Sequence, residues 1–466
     1  MDHKLSMSNQ VENHSSLYVL LTSLFEELRT NNHPYCVCGN YDKLPHYTEN
    51  DVDIWAKNPE ILIKIIKNIC FALKYKIYLE NTNATGTNLF ICTNALHPHK
   101  DFIHIDVLNE CRWHSFLPLV RSKTIEDHRK SYQEFYVANE TVDAAMHLMY
   151  PLAYFGKVTP KYYEDIIREA ETDAFWQIVQ DGWGATFTKT IIPLVKNGSW
   201  TELEKDFARH KLQLTIRALS KIGPPEIKSF FSFITSNIKR LIKPNGLFIA
   251  FIGPDGCGKT TIQNNLMPFF QKGFTKGKIK KFYWRPFLFP RIKDLLPGGK
   301  KNIHDNGEDE EPSARLELRN VGSGKRIAHC IKLFYYWLDY IFGRLKYQGA
   351  WSRGGVVCFD RYWEDLVVFP ERFGINVPPW LVRLLGILVP KPDIVFYLHA
   401  EPEVLIGRKP ELPFEEMKAQ IKQYKALCHR YSNFALIDGN QPEDDVLNDV
   451  VRTCLEKMSK RYPENQ

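Results

Sequence analysis

Residues 247–261 read Leu-Phe-Ile-Ala-Phe-Ile-Gly-Pro-Asp-Gly-Cys-Gly-Lys-Thr-Thr, and no other stretch of this chain restricts its fold so tightly. The first six residues are a continuous apolar run of strand length, as expected of a strand buried on both faces of a parallel sheet. Gly253, Gly256 and Gly258 then permit φ > 0 and let backbone N–H groups close around an anion. Lys259, Thr260 and Thr261 open a helix whose positive N-terminal end points at the same anion. Strand, glycine-rich turn and Lys-Thr helix start, in that order, spell a P-loop from Gly253 to Thr261, with Pro254, Asp255 and Cys257 between the glycines. The expected ligand is ATP with Mg²⁺: Lys259 reaches the β- and γ-phosphates and the Thr260 hydroxyl ligates the metal.

At 466 residues the chain exceeds what one hydrophobic core normally holds, so two or three domains are expected. Its net charge of +7 favours phosphate-bearing ligands. No dense Arg/Lys tract with interleaved aromatics marks a nucleic-acid site. The ten cysteines are scattered, with Cys70, Cys92, Cys358 and Cys454 inside apolar segments, and read as small buried hydrophobes in a reducing compartment. Cys36-x-Cys38 lacks zinc or redox spacing. Residues 1–16 are polar, and the apolar stretch from Leu381 to Val389 is interrupted by Arg383 and too short to span a bilayer. The expectation is a cytoplasmic protein without a membrane span, and a homodimer is left open.

Three zones separate by pattern, an α/β multidomain chain. Residues 1–120 mix amphipathic helices (Leu17–Leu28, Pro59–Leu73) with strand-like alternation at 51–55 and 102–108. Residues 121–243 read as helices throughout, with breaks at Gly182, Gly198 and Gly223-Pro224-Pro225, and serve as a connecting scaffold. Residues 244–466 follow the turn-forming Lys243-Pro244-Asn245-Gly246 and show strand-like runs at 247–252, 278–284, 356–360, 393–398 and 434–438 between helical segments. That alternation predicts a doubly wound parallel sheet. Pro297 to Lys325, polar and charged, reads as a surface insertion; its Gly322-Ser323-Gly324-Lys325 has no preceding apolar strand and is no phosphate loop.

Downstream of the P-loop, Val356-Val357-Cys358-Phe359-Asp360-Arg361-Tyr362 ends an apolar strand in an acid beside an arginine. Such an acid can orient Mg²⁺ or accept a proton, and such an arginine can hold an acceptor phosphate with two hydrogen bonds. This zone resembles the thymidylate kinase family in its P-loop acid Asp255, its Asp360-Arg361-Tyr362 motif, the strand at Lys391–Leu398 and the helix start at Pro402. Arg408-Lys409 falls where that family carries its lid arginine, and Phe434–Gly439 resembles its last strand and adenine-side loop. The resemblance implies that Asp255 contacts an acceptor sugar hydroxyl, Arg361 and Tyr362 bind the acceptor, Asp360 serves metal or proton transfer, and Arg408 stabilises the transferred phosphoryl group. The family's Arg-Glu-Pro-Gly-Gly-Thr is replaced by Trp284-Arg285-Pro286. Arg285 is therefore expected to face an acceptor anion in a different pocket, and thymidylate is expected to be a poor substrate. The partner implied is a small phosphorylated acceptor, a nucleotide or a sugar phosphate.

In the first zone, Gly39-Asn40-Tyr41-Asp42 precedes Asp51-Val52-Asp53, and Asp106 ends a later strand-like run. A D-x-D on one strand puts two carboxylates on one face, and a neighbouring strand can supply a third, the set that two-metal nucleotidyl transfer requires. This order resembles the DNA polymerase β-type nucleotidyltransferase superfamily, with Gly39-Asn40 in place of its Gly-Ser pair. The resemblance implies an N-terminal α+β domain binding metal through Asp51, Asp53 and Asp106. Three alternatives stay open: Asp51 and Asp53 as ordinary turn and strand-edge acids, an idle fold kept for binding, and a domain that modifies protein or RNA while the P-loop domain senses nucleotide. A P-loop module without any acceptor is disfavoured by Asp360-Arg361.

Overall fold

The computed structural model describes residues 15–48, 51–82, 86–93, 102–113, 117–220, 222–273, 279–290, 292, 323–408 and 412–462. They divide into two compact units, one holding the described residues up to Lys239 together with Tyr462, the other running from Arg240 to Arg461. The expected insertion over 297–325 lies outside the described residues, save its last three, which open the helix Ser323–Ser352.

In the first unit, strands β1 (Tyr35–Cys38), β2 (Val52–Ala56), β3 (Lys76–Thr82), β4 (Gly86–Cys92) and β5 (Phe102–Leu108) join a mixed sheet; β6 (Cys111–Trp113) and β7 (Leu117–Val120) form a separate hairpin. The sheet is completed by β8 (Arg129–Tyr132) and β9 (Phe135–Ala138), in the order β3-β4-β5-β2-β1-β9-β8. Alternation sorts its side chains into two cores. Tyr35, Val37, Val52, Ile54, Ile105 and Val107 pack against the apolar stripes of helices Ser16–Thr30 and Pro59–Ala72. Cys36, Cys38 and Trp55, on the opposite face, pack against helix Glu140–Phe155 and the helices after it.

Strands β8 and β9 correct the reading of 121–243 as helical throughout. Each is only four residues long, and they meet at Gln133-Glu134, where Gln133 takes φ +50 without a glycine or asparagine to announce the turn. Phe135 and Val137 nevertheless join the sheet core, and β9 runs parallel to β1. Gly182 is likewise no break. It lies within helix Asp173–Trp183, where a Cβ would sit 2.6 Å from the Leu119 carbonyl oxygen, so close packing and not a turn requires the glycine; the helix ends at Gly184, φ +91.

The second unit is a five-stranded parallel sheet of β10 (Leu247–Ile252), β11 (Ile279–Tyr283), β12 (Val356–Asp360), β13 (Ile394–His399) and β14 (Phe434–Asp438), ordered β11-β12-β10-β13-β14. Every residue of β10, β12 and β13 is buried, in keeping with their apolar runs, and this includes Asp360 and His399 at the ends of β12 and β13. The order reverses at β10, so the crevice at its carboxyl end lies between connections leaving in opposite directions, where such sheets bind ligands. Eight of the ten cysteines, Cys36 and Cys38 among them, are buried, and all ten are free thiols. Among the described residues no helix is long and apolar enough to cross a membrane.

Candidate active site

The loop after β10 occupies that crevice. Gly253, Gly256 and Gly258 take φ +137, +83 and +89, conformations that a side chain would strain. Lys259 is buried at the start of helix Lys259–Gly273, its Nζ donating to the carbonyls of Gly253 at 2.9 Å and Pro254 at 2.7 Å. The ammonium is thus stretched along the loop rather than out into solvent.

Asp360 ends β12, whose parallel register against β10 sets it level with Phe251 and brings it to the same crevice. The Thr260 hydroxyl donates to Asp360 Oδ2 at 3.0 Å. Asp360 Oδ1 is buried and has no hydrogen-bond partner. A buried carboxylate oxygen left open beside a hydroxyl oxygen is the hard donor set that Mg²⁺ prefers, so these two residues fit the metal that the loop implies.

Arg361 follows in a left-handed conformation, φ +72, at a cost of about 1–3 kcal/mol that surrounding bonds must offset. Its N–H donates to Phe251 O at 2.8 Å, and its guanidinium pairs with the P-loop carboxylate of Asp255. Burial opposes its charge, but Asp255 and Asp365 outweigh burial and hold the guanidinium above its ordinary pKa. The second oxygen of Asp255 pairs with Arg372, in the 3₁₀ turn Pro370–Phe373. Sequence reasoning missed Arg372, which belongs to no motif. Arg408 is exposed at the end of helix Pro402–Arg408, its Nη1 3.5 Å from Gly256 O. The structure therefore gathers Asp255, Lys259, Thr260, Asp360, Arg361 and Arg408 around one loop.

Two expected acceptor residues lie elsewhere. Tyr362 is fully buried, packed edge-on against Phe248 and Tyr340, with its hydroxyl donating to Pro390 O at 2.6 Å. An apolar ring with a satisfied hydroxyl makes it a core residue, which corrects the assignment to substrate. Arg285 is also fully buried. Trp284 and Phe287 take φ +42 and +51 and turn the chain inward after β11. Arg285 Nη1 then donates to Asp339 Oδ2 at 3.2 Å, beneath the ring of Phe287. The same carboxylate accepts the N–H groups of Phe287 at 3.1 Å and Phe289 at 2.8 Å, so Arg285 is tied to the scaffold through Nη1, while its buried Nε and Nη2 have no hydrogen-bond partner. Replacing Asp339 by Ala leaves a buried guanidinium and two amides without their acceptor; a loss of about 3–5 kcal/mol is expected in urea unfolding. A loss under about 1 kcal/mol would show the pair to be dispensable.

The acids of the first unit also meet. Parallel pairing of β2 with β5 sets Asp53 opposite Asp106, and Asp51 lies two residues before Asp53, on the same face. Burial, then the neighbouring carboxylates of Asp106, Asp51 and Asp143, hold the Asp53 carboxyl well above the usual range. His104, two residues before Asp106, was not anticipated although β5 alternation places it on that face. Its Nε2 lies 2.6 Å from Asp106 Oδ1, and single ligand atoms of Asp51, His104 and Asp106 fall within 4.8 Å of one another. Two carboxylates and an imidazole fit a divalent cation, though the nitrogen is less typical of Mg²⁺ than of transition metals. The Gly39 N–H donates to both oxygens of Asp143 at 3.0 and 3.1 Å. Burial pushes the Asp143 carboxyl up to about 7.

No protein-family model matches the chain. It is 26% identical over 244 residues to the thymidylate kinase of Malacoplasma penetrans, an alignment covering 46% of this chain and 97% of that protein. Over 221 residues it is 24% identical to the thymidylate kinase of Fervidobacterium nodosum, covering 44% of this chain and 97% of the relative. A solved thymidylate kinase from Ehrlichia chaffeensis, 15% identical, aligns with 46% of this chain and 100% of its own, at a TM-score of 0.30. The chain thus contains a thymidylate-kinase-like domain over about 46% of its length, a likeness that supports a phosphotransferase resembling the nucleoside monophosphate kinases.

Proposed function

We propose that the P-loop unit transfers the γ-phosphoryl group of ATP to an acceptor that already bears a phosphate, a nucleoside monophosphate or a sugar phosphate. The observation that carries this reading is the meeting of Asp255, Arg361 and Asp360 at one glycine-rich loop. A loop that only bound nucleotide would need no arginine presented beside its phosphates. In this reading Lys259 and the loop amides hold the donor phosphates, and Arg361 holds the acceptor's phosphate. Asp255 orients the acceptor sugar, and Arg408 offsets charge on the group in transit. Thr260 and Asp360 would hold Mg²⁺, which when bound withdraws charge from the phosphoryl oxygens.

The test follows ADP release from ATP across nucleoside monophosphates, hexose 1-phosphates and their unphosphorylated parents. Phosphorylated acceptors are expected to stimulate release strongly and their parents hardly at all. Arg361→Ala is expected to raise the acceptor's KM and lower kcat by about a hundredfold in kcat/KM, with little change for ATP. Thymidylate is expected to rank low, because Trp284-Arg285-Pro286 stands where thymidylate kinases carry Arg-Glu-Pro-Gly-Gly-Thr, and Arg285 is buried against Asp339. Efficient turnover of a neutral nucleoside, indifferent to Arg361→Ala, would refute the acceptor site.

A second reading, for the first unit, is two-metal nucleotidyl transfer by Asp51, Asp53 and Asp106. The pairing of Asp53 with Asp106 across adjacent strands favours it. With it the chain is bifunctional, and pyrophosphate release reports this activity separately. The rival arrangement, modification of a macromolecule by the first unit with the P-loop unit as sensor, predicts pyrophosphate release without acceptor-stimulated ADP.

A further inference from the structure

We infer that Arg372 is a second anion-binding residue of the acceptor site, acting with Arg361 on a phosphate monoester; the inference rests on the phosphotransferase reading above. Arg361 Nη2 and Arg372 Nη1 each engage one oxygen of the same carboxylate, Asp255 Oδ1 and Oδ2 respectively. Two guanidiniums that converge on one small planar anion are already placed to grip two oxygens of a phosphate. The carboxylate they share belongs to the P-loop, so the anion they would take stands next to the donor phosphates.

The side chain of Arg372 is not what holds its own segment. Lys332 Nζ donates to Phe373 O at 2.9 Å, Ile375 N to Pro370 O at 3.2 Å, and Asn376 N to His329 Nδ1 at 3.1 Å. The Phe373 ring lies 4.6 Å from that of Trp284, and Ile375 is fully buried. These contacts pin the turn whether or not residue 372 is charged. A guanidinium with only 11% of its side chain exposed is nonetheless carried there. Desolvating such a charge is unfavourable unless an anion rewards it.

The two arginines also differ in a way that suits exchange. Arg361 has a further acid, Asp365, 3.6 Å from its Nη1, whereas the ion pair of Arg372 is with Asp255 alone among the described residues. An incoming phosphate dianion competes with Asp255 for both guanidiniums, and Asp365 keeps Arg361 in place as Asp255 yields. Asp255 keeps unused lone pairs with which to accept a sugar hydroxyl. The acceptor class selected is a monoester with two charged oxygens, in preference to diesters and neutral sugars.

The test uses the full chain, ATP, and the adenosine, cytidine, guanosine, uridine and thymidine 5′-monophosphates together with glucose 1-phosphate. For whichever acceptor best stimulates ADP release, Arg372→Ala is expected to raise its KM at least about tenfold. KM for ATP should stay within about twofold, and the melting temperature should hardly move, a split that a structural role would not give. Arg372→Lys keeps the charge but loses the fork and should recover part of the affinity; should the Ala variant fail to fold, the Lys variant's KM decides. An unchanged acceptor KM in both variants, with Arg361→Ala still raising it, overturns the role of Arg372 and spares the kinase. Absence of acceptor-stimulated ADP release in the unaltered protein overturns the phosphotransferase reading and this inference with it.

Discussion

Lys259→Ala should lower ADP formation by about a thousandfold or more and leave pyrophosphate release from the first unit within about twofold of the unaltered protein. The size follows from what the ammonium does. It is the cation laid along the loop between the Gly253 and Pro254 carbonyls, where the donor's terminal phosphates would sit. Its charge grows in value as the transferred group moves, so the loss should fall on kcat as well as on binding. The fold should tolerate the change. Gly253 and Pro254 lose one side-chain donor, while β10 and its two parallel neighbours are untouched. ADP and pyrophosphate measured in parallel on one preparation separate the outcomes. If both fall together, the two units share one active site and the assignment of separate sites is wrong. If ADP formation survives, the P-loop is not the donor site.

Much of the second unit was legible because its signals are local. A buried parallel strand is apolar along nearly all its length, so 247–252 and 356–360 could be read to the residue; the edge strand 434–438 was legible from its apolar run although only Ile437 in it is buried. The phosphate loop is a local motif as well, and its glycines take the positive φ angles their positions demand. What could not be read depends on where the chain goes between strands. Arg285 follows β11 as Arg361 follows β12, and sequence gives both the same place at the carboxyl edge. The structure separates them through two left-handed residues, Trp284 and Phe287, whose types carry no such signal. Asp339, which captures Arg285, comes from a helix more than fifty residues later. Arg372 was invisible for the same reason, since only tertiary folding brings Pro370–Phe373 to Asp255. In the first unit, the D-x-D spacing pointed to Asp51, Asp53 and Asp106, whereas the ligand atoms that cluster are those of Asp51, His104 and Asp106. The β8–β9 hairpin was missed because Gln133-Glu134 is an uninformative turn in a stretch otherwise rich in helix formers.

Asp51→Asn combined with Asp53→Asn should abolish pyrophosphate-releasing activity, by about a thousandfold, and spare acceptor-stimulated ADP release. The more revealing measurement is stability. Asp53 sits opposite Asp106, two residues from Asp51 and near Asp143, and its folded-state carboxyl is held well above the ordinary range by burial and by those charges. A carboxyl that holds its proton more tightly folded than unfolded destabilises the fold once ionised, and that penalty grows as pH rises from the unfolded toward the folded pKa. Asparagine keeps the shape and removes the charge. The double variant should therefore melt no lower than the unaltered protein at neutral pH, and higher if no cation is supplied. Acids kept for scaffolding would behave in the opposite way, since removing one partner of a structural ion pair lowers the melting temperature. Activity lost with stability kept or gained would mark the cluster as a site held at the expense of the fold, which is how cation-binding carboxylates behave. Full pyrophosphate release in the double variant, on an identified substrate, would instead leave the acids without a role in nucleotidyl transfer.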